Sequence, residues 1–151
     1  MDLTCCGIEY EFETPNHTWD FLNLLNIDYG SKKYFRVYYD VIYSNWSDDI
    51  IVLPTKIEPS YFHNLEKPLV IEELILHLYS ENSIESEIET YDDYINSDCE
   101  MVLLIYDCAY LEIYCKDELL RERLFTLADN IPDTKVEWKY VETDGRTGMH
   151  V

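Results

Sequence analysis

Cys99, Cys108 and Cys115 are the residues whose chemistry would decide most about this chain. They stand in NSDCEMVLLIYDCAYLEIYCKDELLRERL, residues 96–124, around an apolar run and among acidic residues. As metal ligands they lack the short paired spacing of a zinc knuckle or ribbon. Cys5 and Cys6 are adjacent, so a strand would send them to opposite faces, and His17, His63, His77 and His150 form neither HxxxH nor HxH. No metal and no cofactor is expected. As a nucleophile, Cys115 is the best candidate. It ends an expected strand, and the amides of the next helix would lower its pKa. Asp117 at that helix start opposes a thiolate. Parity also groups Cys115 with Leu111 and Ile113, and free cysteine is among the most buried residue types. The expected role of the thiols is packing. A small enzyme using Cys115 with a spatially adjacent histidine is the alternative.

The carboxylates offer no better catalyst. Among 31 acidic residues two will always lie close, and no pair stands out. A chain with four glycines holds no phosphate loop, no GxSxG and no dinucleotide fingerprint. The chain is therefore expected not to be an enzyme.

The elements that must position these residues follow from periodicity. GIEYEFE, residues 7–13, alternates strictly and reads as a half-buried strand with Ile8, Tyr10 and Phe12 inward. A helix follows, capped by Asn16 or Thr18, carrying Trp19, Phe21, Leu22 and Leu25 and stopped by Gly30. Residues 32–46 are rich in aromatic and β-branched types and read as a strand, with Phe35, Val37, Tyr39 and Val41 on one face. Residues 49–54 form a short strand. Pro54, Pro59 and Pro68 make the next stretch irregular. LVIEELILHLYSE, residues 69–81, carries a helical stripe, with a strand open for its first half. SIESEIET is an exposed strand, then Thr90 caps a short helix with Asp93 three residues on. Residues 100–106 form a continuous apolar strand. Asp107, Cys108 and Ala109 turn the chain into a strand at 110–115. Asp117 caps a helix whose stripe is Leu120, Leu124, Leu127 and Ala128. The last strand carries Val136, Trp138 and Tyr140 inward. No repeat and no linker interrupts 1–151, so one domain is expected. Its class is α+β, a mostly antiparallel sheet with two to four helices packed against it.

Composition limits the partners. An apolar fraction of 47 % describes a globular chain, and no apolar run approaches the roughly 20 residues of a membrane span. The N-terminus carries acid where a signal peptide would carry Lys or Arg, and the five cysteines fit reduced thiols, so a cytoplasmic location is expected. A net charge of −20 repels nucleic acid and anionic lipid and attracts basic proteins. The charge is also segregated. No Lys or Arg stands between Lys67 and Lys116. Residues 81–100 mix Glu81, Glu85, Glu87, Glu89, Asp92, Asp93, Asp98 and Glu100 with Ile84, Ile88, Ile95, Tyr91 and Tyr94. A basic partner would dock against acid ringed round exposed aromatics. The expected partner-binding residues are Glu81, Glu85, Glu87, Glu89, Tyr91, Asp92, Asp93, Tyr94 and Asp98. The alternative is a solvated edge with the tyrosines turned inward.

YDDYINSDCEMVLLIYDCAYLEIYCKDELLRERL and VEWKYVETDGRTG resemble the C-terminal half of a family of small, acidic, uncharacterised bacterial proteins. That family is a domain of unknown function found mainly in Gram-positive spore-formers. Its pattern falls here on Tyr91, Tyr94, Ser97, Asp98, Cys99, Asp107, Tyr114, Cys115, Lys116, Asp117, Thr143, Asp144, Arg146 and Thr147. GIEYEFETPN resembles the family's opening, whereas GMHV departs from its apolar, aromatic-ended tail. The resemblance implies no activity. It implies a small bacterial protein of the accessory or immunity kind. Together with the charge it gives the expected function: a non-enzymatic immunity or inhibitor protein covering the active cleft of a basic toxin, such as a nuclease. An acidic regulatory or structural subunit is the plainer alternative.

Overall fold

The alternation at the start of the chain builds β1 (Cys5–Glu11), and Ile8, Tyr10 and Phe12 are all buried. The computed structural model describes residues 4–45, 47–146 and 148–151. Trp46, at the end of the second expected strand, and Thr147 of the family-like pattern lie outside the described residues. After β1 come α1 (Pro15–Leu24), β2 (Lys33–Ser44), β3 (Ile50–Ile51), β4 (Lys56–Ile57) and β5 (Leu69–Ser80). Then follow α2 (Tyr91–Ile95), β6 (Met101–Tyr106), β7 (Tyr110–Cys115), α3 (Glu118–Leu127), a 3-10 turn (Ala128–Asn130) and β8 (Lys135–Tyr140). Among the described residues these make one antiparallel sheet of eight strands and three α-helices, so the α+β class is sheet-dominated. The order is β3-β2-β5-β6-β7-β1-β8, with β4 on β2. Among those residues no helix is long and apolar enough to cross a membrane.

Several local expectations are corrected. Residues 69–81 are not helical; β5 is a twelve-residue central strand between β2 and β6. Its apolar residues serve both faces, Ile71, Leu74, Leu76 and Leu78 on one and Ile75 and Tyr79 on the other. A run apolar on both faces imitates a helical stripe. SIESEIET is no strand. The first helix starts at Pro15, whose missing N–H suits a first helical position, behind an extended Thr14. Thr18 instead lies inside it and donates to the Cys108 carbonyl at 2.7 Å, tying α1 to the β6–β7 turn. The helix ends at Leu24, before Gly30. In β2 a bulge between Val37 and Tyr39 breaks the expected parity.

The sheet has two different faces. The first is covered by α1, the loop around Phe62 and α3 with its Leu124, over Ile8, Tyr10, Phe35, Leu74, Leu103 and Ile113. Tyr10 packs on Phe21 in a tilted contact at 4.7 Å and donates to the Leu124 carbonyl at 2.7 Å, joining strand to both helices. Asp117 caps α3, accepting from the Leu120 amide at 2.8 Å. The second face buries Tyr79, Val102, Leu104 and Tyr114 under the segment around Ile88, Tyr94 and Met149.

Gly7 lies opposite Tyr114 where β1 pairs with β7. A Cβ there would meet the Ile113 carbonyl oxygen at 1.9 Å, and backbone cannot yield as a side chain does. Gly7→Ala should destabilise by about 2–3 kcal/mol, at the upper end for overpacking. Urea unfolding checks this, and an unchanged midpoint would mean that the two strands are not this close.

Candidate functional site

The acidic middle forms a strap over the second face. Ile88 and Tyr94 pin it from beneath and are both buried. The expected cap of α2 is present in full. Thr90 accepts from the Asp93 amide at 3.1 Å, and Asp93 accepts from the Glu89 and Thr90 amides, each at 3.1 Å. Those two amides hold the Asp93 carboxyl below the usual carboxylate range. The Tyr94 ring packs on Tyr91 at 5.8 Å and Tyr114 at 6.4 Å, with the Lys116 ammonium 4.9 Å from its centre. Ser97 donates to the Tyr94 carbonyl and accepts from the Cys99 amide; Asp98 accepts from Ile84. Lys116 donates to the Ser97 carbonyl. The residues of the family-like pattern thus fasten the strap to β6 and β7.

The expected partner-binding residues divide accordingly. Glu81 pairs with Lys32 at 3.4 Å. Glu85 takes the Tyr34 hydroxyl at 2.7 Å and pairs with Arg36 at 3.7 Å. Glu87, Glu89 and Asp92 are exposed, and their carboxylates make no hydrogen bond or ion pair among the described residues. Tyr91 is half-buried and Tyr94 is 1 % exposed, so the strap offers a partner carboxylates and the exposed Ile84 rather than a tyrosine anchor.

Two of the three thiols expected to pack do so, whereas Cys108 is only half-buried in the turn between β6 and β7. Cys99 and Cys115 are buried, and burial pushes both up to about 12, Cys6 to about 11. Such thiols are protonated near neutrality. Cys115 belongs to the first-face core with Leu111 and Ile113, while His77 stands on the second face opposite Val102, so the sheet separates them. Among the described residues no three His, Cys, Asp or Glu side chains gather as a ligand set.

The sequence reading missed a buried ion cluster beside the strap. Glu112, at the centre of β7, accepts from the Lys139 ammonium at 2.6 Å and from the Arg146 guanidinium. Asp144 accepts from Lys139 at 3.1 Å, from the Arg146 amide at 3.2 Å and from the Tyr114 hydroxyl at 2.5 Å. Burial works against the Lys139 charge, but the bonds from Glu112 and Asp144 outweigh it and raise its pKa. Burial likewise opposes ionised Asp144, and Tyr114 and Lys139 reverse this and lower it. Arg146 also reaches the Gly148 and His150 carbonyls, and the Met149 amide donates to Glu89 at 2.8 Å. The cluster therefore latches the C-terminal tail to both the sheet and the strap. Each of its four carboxylate oxygens accepts at least one bond from the chain itself, which suits a structural clamp. Its signals in sequence were Glu112 and Lys139, charged among strand apolars, and Asp144 and Arg146 of the family-like pattern.

His77 adds a pH dependence. It is buried, its Nε2 has no hydrogen-bond partner among the described residues, and its ring stacks on Tyr38 at 4.9 Å. Burial lowers its pKa from 6.5 to about 4; the Glu85 charge opposes this and Arg36 adds to it. The unfolded chain then holds the proton more tightly. The stability is complete above pH 6.5 and is lost as pH falls toward 4, by about 3 kcal/mol at full protonation. Urea midpoints of the wild type and His77→Phe should run in parallel above pH 6.5 and separate in acid, where only the wild type loses this contribution. Profiles that stay parallel down to pH 4 would place His77 in solvent.

Residues 65–150 match the family model described as Protein of unknown function (DUF2691). That range contains the pattern read at 91–147. The chain is also similar to the Uncharacterized protein YncE of Bacillus subtilis (strain 168), at 38 % identity over 66 residues, 44 % of this chain and 43 % of that relative. The matched stretch spans less than half of that relative's length. No solved structure matches.

Proposed function

The chain belongs to the bacterial family described as Protein of unknown function (DUF2691), and from that premise, which supplies no activity, we propose that it is a non-enzymatic acidic protein that binds a basic protein partner. The observation that carries this reading is the strap, which turns Glu87, Glu89 and Asp92 outward without counter-ions. In a chain of net charge −20 those carboxylates add to a field that draws in cations and repels nucleic acid. The buried, protonated thiols favour the same side, since a nucleophilic Cys115 would need both access and a base. The most concrete form is a cytoplasmic immunity protein that covers the cationic cleft of a toxin, such as a nuclease.

The test begins with a partner isolated from the native host on immobilised wild-type protein. Association is then measured at low and high salt. Neutralising Glu87, Glu89 and Asp92 should slow association at low salt and leave dissociation nearly unchanged, as rim charges do. Cys115→Ala should bind as wild type. Unchanged association of the neutralised variant would reduce the strap to a solvated surface. Loss of function in a stable Cys115→Ala variant would favour thiol chemistry.

A further inference from the structure

The strap and tail cover only one end of the second face. At the other end the sheet is open and carries tyrosines on three strands. The β2 bulge turns two consecutive residues the same way. Tyr38 stacks on His77 and Tyr39 lies opposite Ile75, which puts both on this face at 43 % and 44 % exposure. Tyr106 and Tyr110 stack on each other at 5.4 Å and 12°, with Tyr110 39 % exposed. Interfaces are enriched in such exposed aromatics.

The carboxylates on this face stand where sheet stability would not put them. The register aligns Glu112, Glu9 and Glu137 in one row across β7, β1 and β8. Like charges directly opposite each other destabilise a sheet. Lys139 relieves two of the three, at 2.6 Å from Glu112 and 3.5 Å from Glu9. Glu137 has no ion pair among the described residues, and Glu11 stands exposed two register pairs on, opposite Lys135. Two adjoining hollows of about 240 and 470 Å³ share Glu9, Tyr106 and Glu112.

We propose that this open half-face is the anchoring surface of the interface, and that it takes an arginine-bearing segment of the basic partner. The inference rests on the preceding reading that the partner is basic; it adds the place and the side chain. A guanidinium is planar, stacks on tyrosine faces and pairs with carboxylates through two N–H groups, whereas a lysine ammonium offers only a point charge. Tyr38, Tyr39 and Tyr110 supply the faces, and Glu9, Glu11 and Glu137 the counter-charge. The strap beside them supplies the steering field.

An oligo-arginine and an oligo-lysine peptide of equal length serve as probes of the intact chain, followed by amide NMR and calorimetry at low salt. Oligo-arginine should bind more tightly and shift the amides of Tyr38, Tyr39, Tyr110 and Glu137. Joint Tyr38→Ala and Tyr39→Ala replacement should weaken it about tenfold or more. Glu137→Thr gives a readout that misfolding cannot imitate: it should raise the urea midpoint by relieving Glu9, and weaken oligo-arginine. Shifts confined to residues 85–93, with the tyrosine variants binding as wild type, would overturn this placement and leave the basic-partner reading standing. Equal binding of both peptides, indifferent to the tyrosines, would overturn it too. Binding of neither peptide would remove the basic-partner reading and this inference together.

Discussion

Replacing Lys139 by Met should destabilise the protein by about 3–5 kcal/mol, the range for removing one partner from a buried ion pair. The Lys139 side chain is 5 % exposed, within 2.6 Å of Glu112 and 3.1 Å of Asp144. Without it Glu112 keeps only Arg146, and Asp144 keeps Tyr114 and one amide. Water cannot enter freely to compensate, because Glu112 is nearly as buried as the lysine. Adding Glu112→Gln to the Lys139→Met variant should recover part of the loss, since a neutral amide needs no counter-charge. The acid limb gives an independent check. Asp144 has a lowered pKa, so it contributes stability above the unfolded carboxylate pKa that disappears as pH falls through the folded value. That contribution should shrink in Lys139→Met, because the ammonium is one of its causes. Urea unfolding across pH measures both effects. A loss below about 1 kcal/mol, the range of exposed pairs, would mean that the cluster is solvated.

The same cluster shows where sequence reading stops. Alternation in residues 7–13 and 110–115 located β1 and β7 and their buried faces, because the pleat has a period of two and each sequence honours it. The cap at Thr90 was equally legible, being local in sequence. Glu112 and Lys139 are 27 residues apart and meet only because β1 lies between their strands. No local pattern announces that pairing. β5 was hidden for a different reason: apolar on both faces, its run reads as a helical stripe rather than as alternation. The open aromatic face was hidden by the bulge at Tyr38, which shifts parity midway along β2 and brings two neighbours to one side. Glu9 and Glu11 read in sequence only as the outward side of a half-buried strand, and only the register sets Glu9 in a row with Glu112 and Glu137.

Tyr94 separates the strap's architecture from its surface. In sequence it reads as an exposed aromatic among acids; in the fold it is 1 % exposed, between Tyr91, Tyr114 and Lys116. Tyr94→Ala should therefore act on stability, by about 3–5 kcal/mol for a large buried ring reduced to a methyl group. The loss should be local first. Hydrogen exchange should quicken at the amides of Asp93 and Met149, which close on the strap through Thr90 and the Glu89 carbonyl. Tyr94→Phe should cost little, because the hydroxyl makes only a long 3.4 Å bond to the Glu100 carbonyl. Asp92→Asn, on the exposed side of the same helix, should leave stability within about 0.5 kcal/mol. Partner binding then distinguishes the two roles. A disordered strap presents its carboxylates less well, so Tyr94→Ala should weaken binding in proportion to the strap opening seen by exchange. If Tyr94→Ala kept the wild-type urea midpoint and exchange rates yet speeded partner dissociation, the ring would be a contact residue. The tyrosines of the open face would then not be the sole anchors.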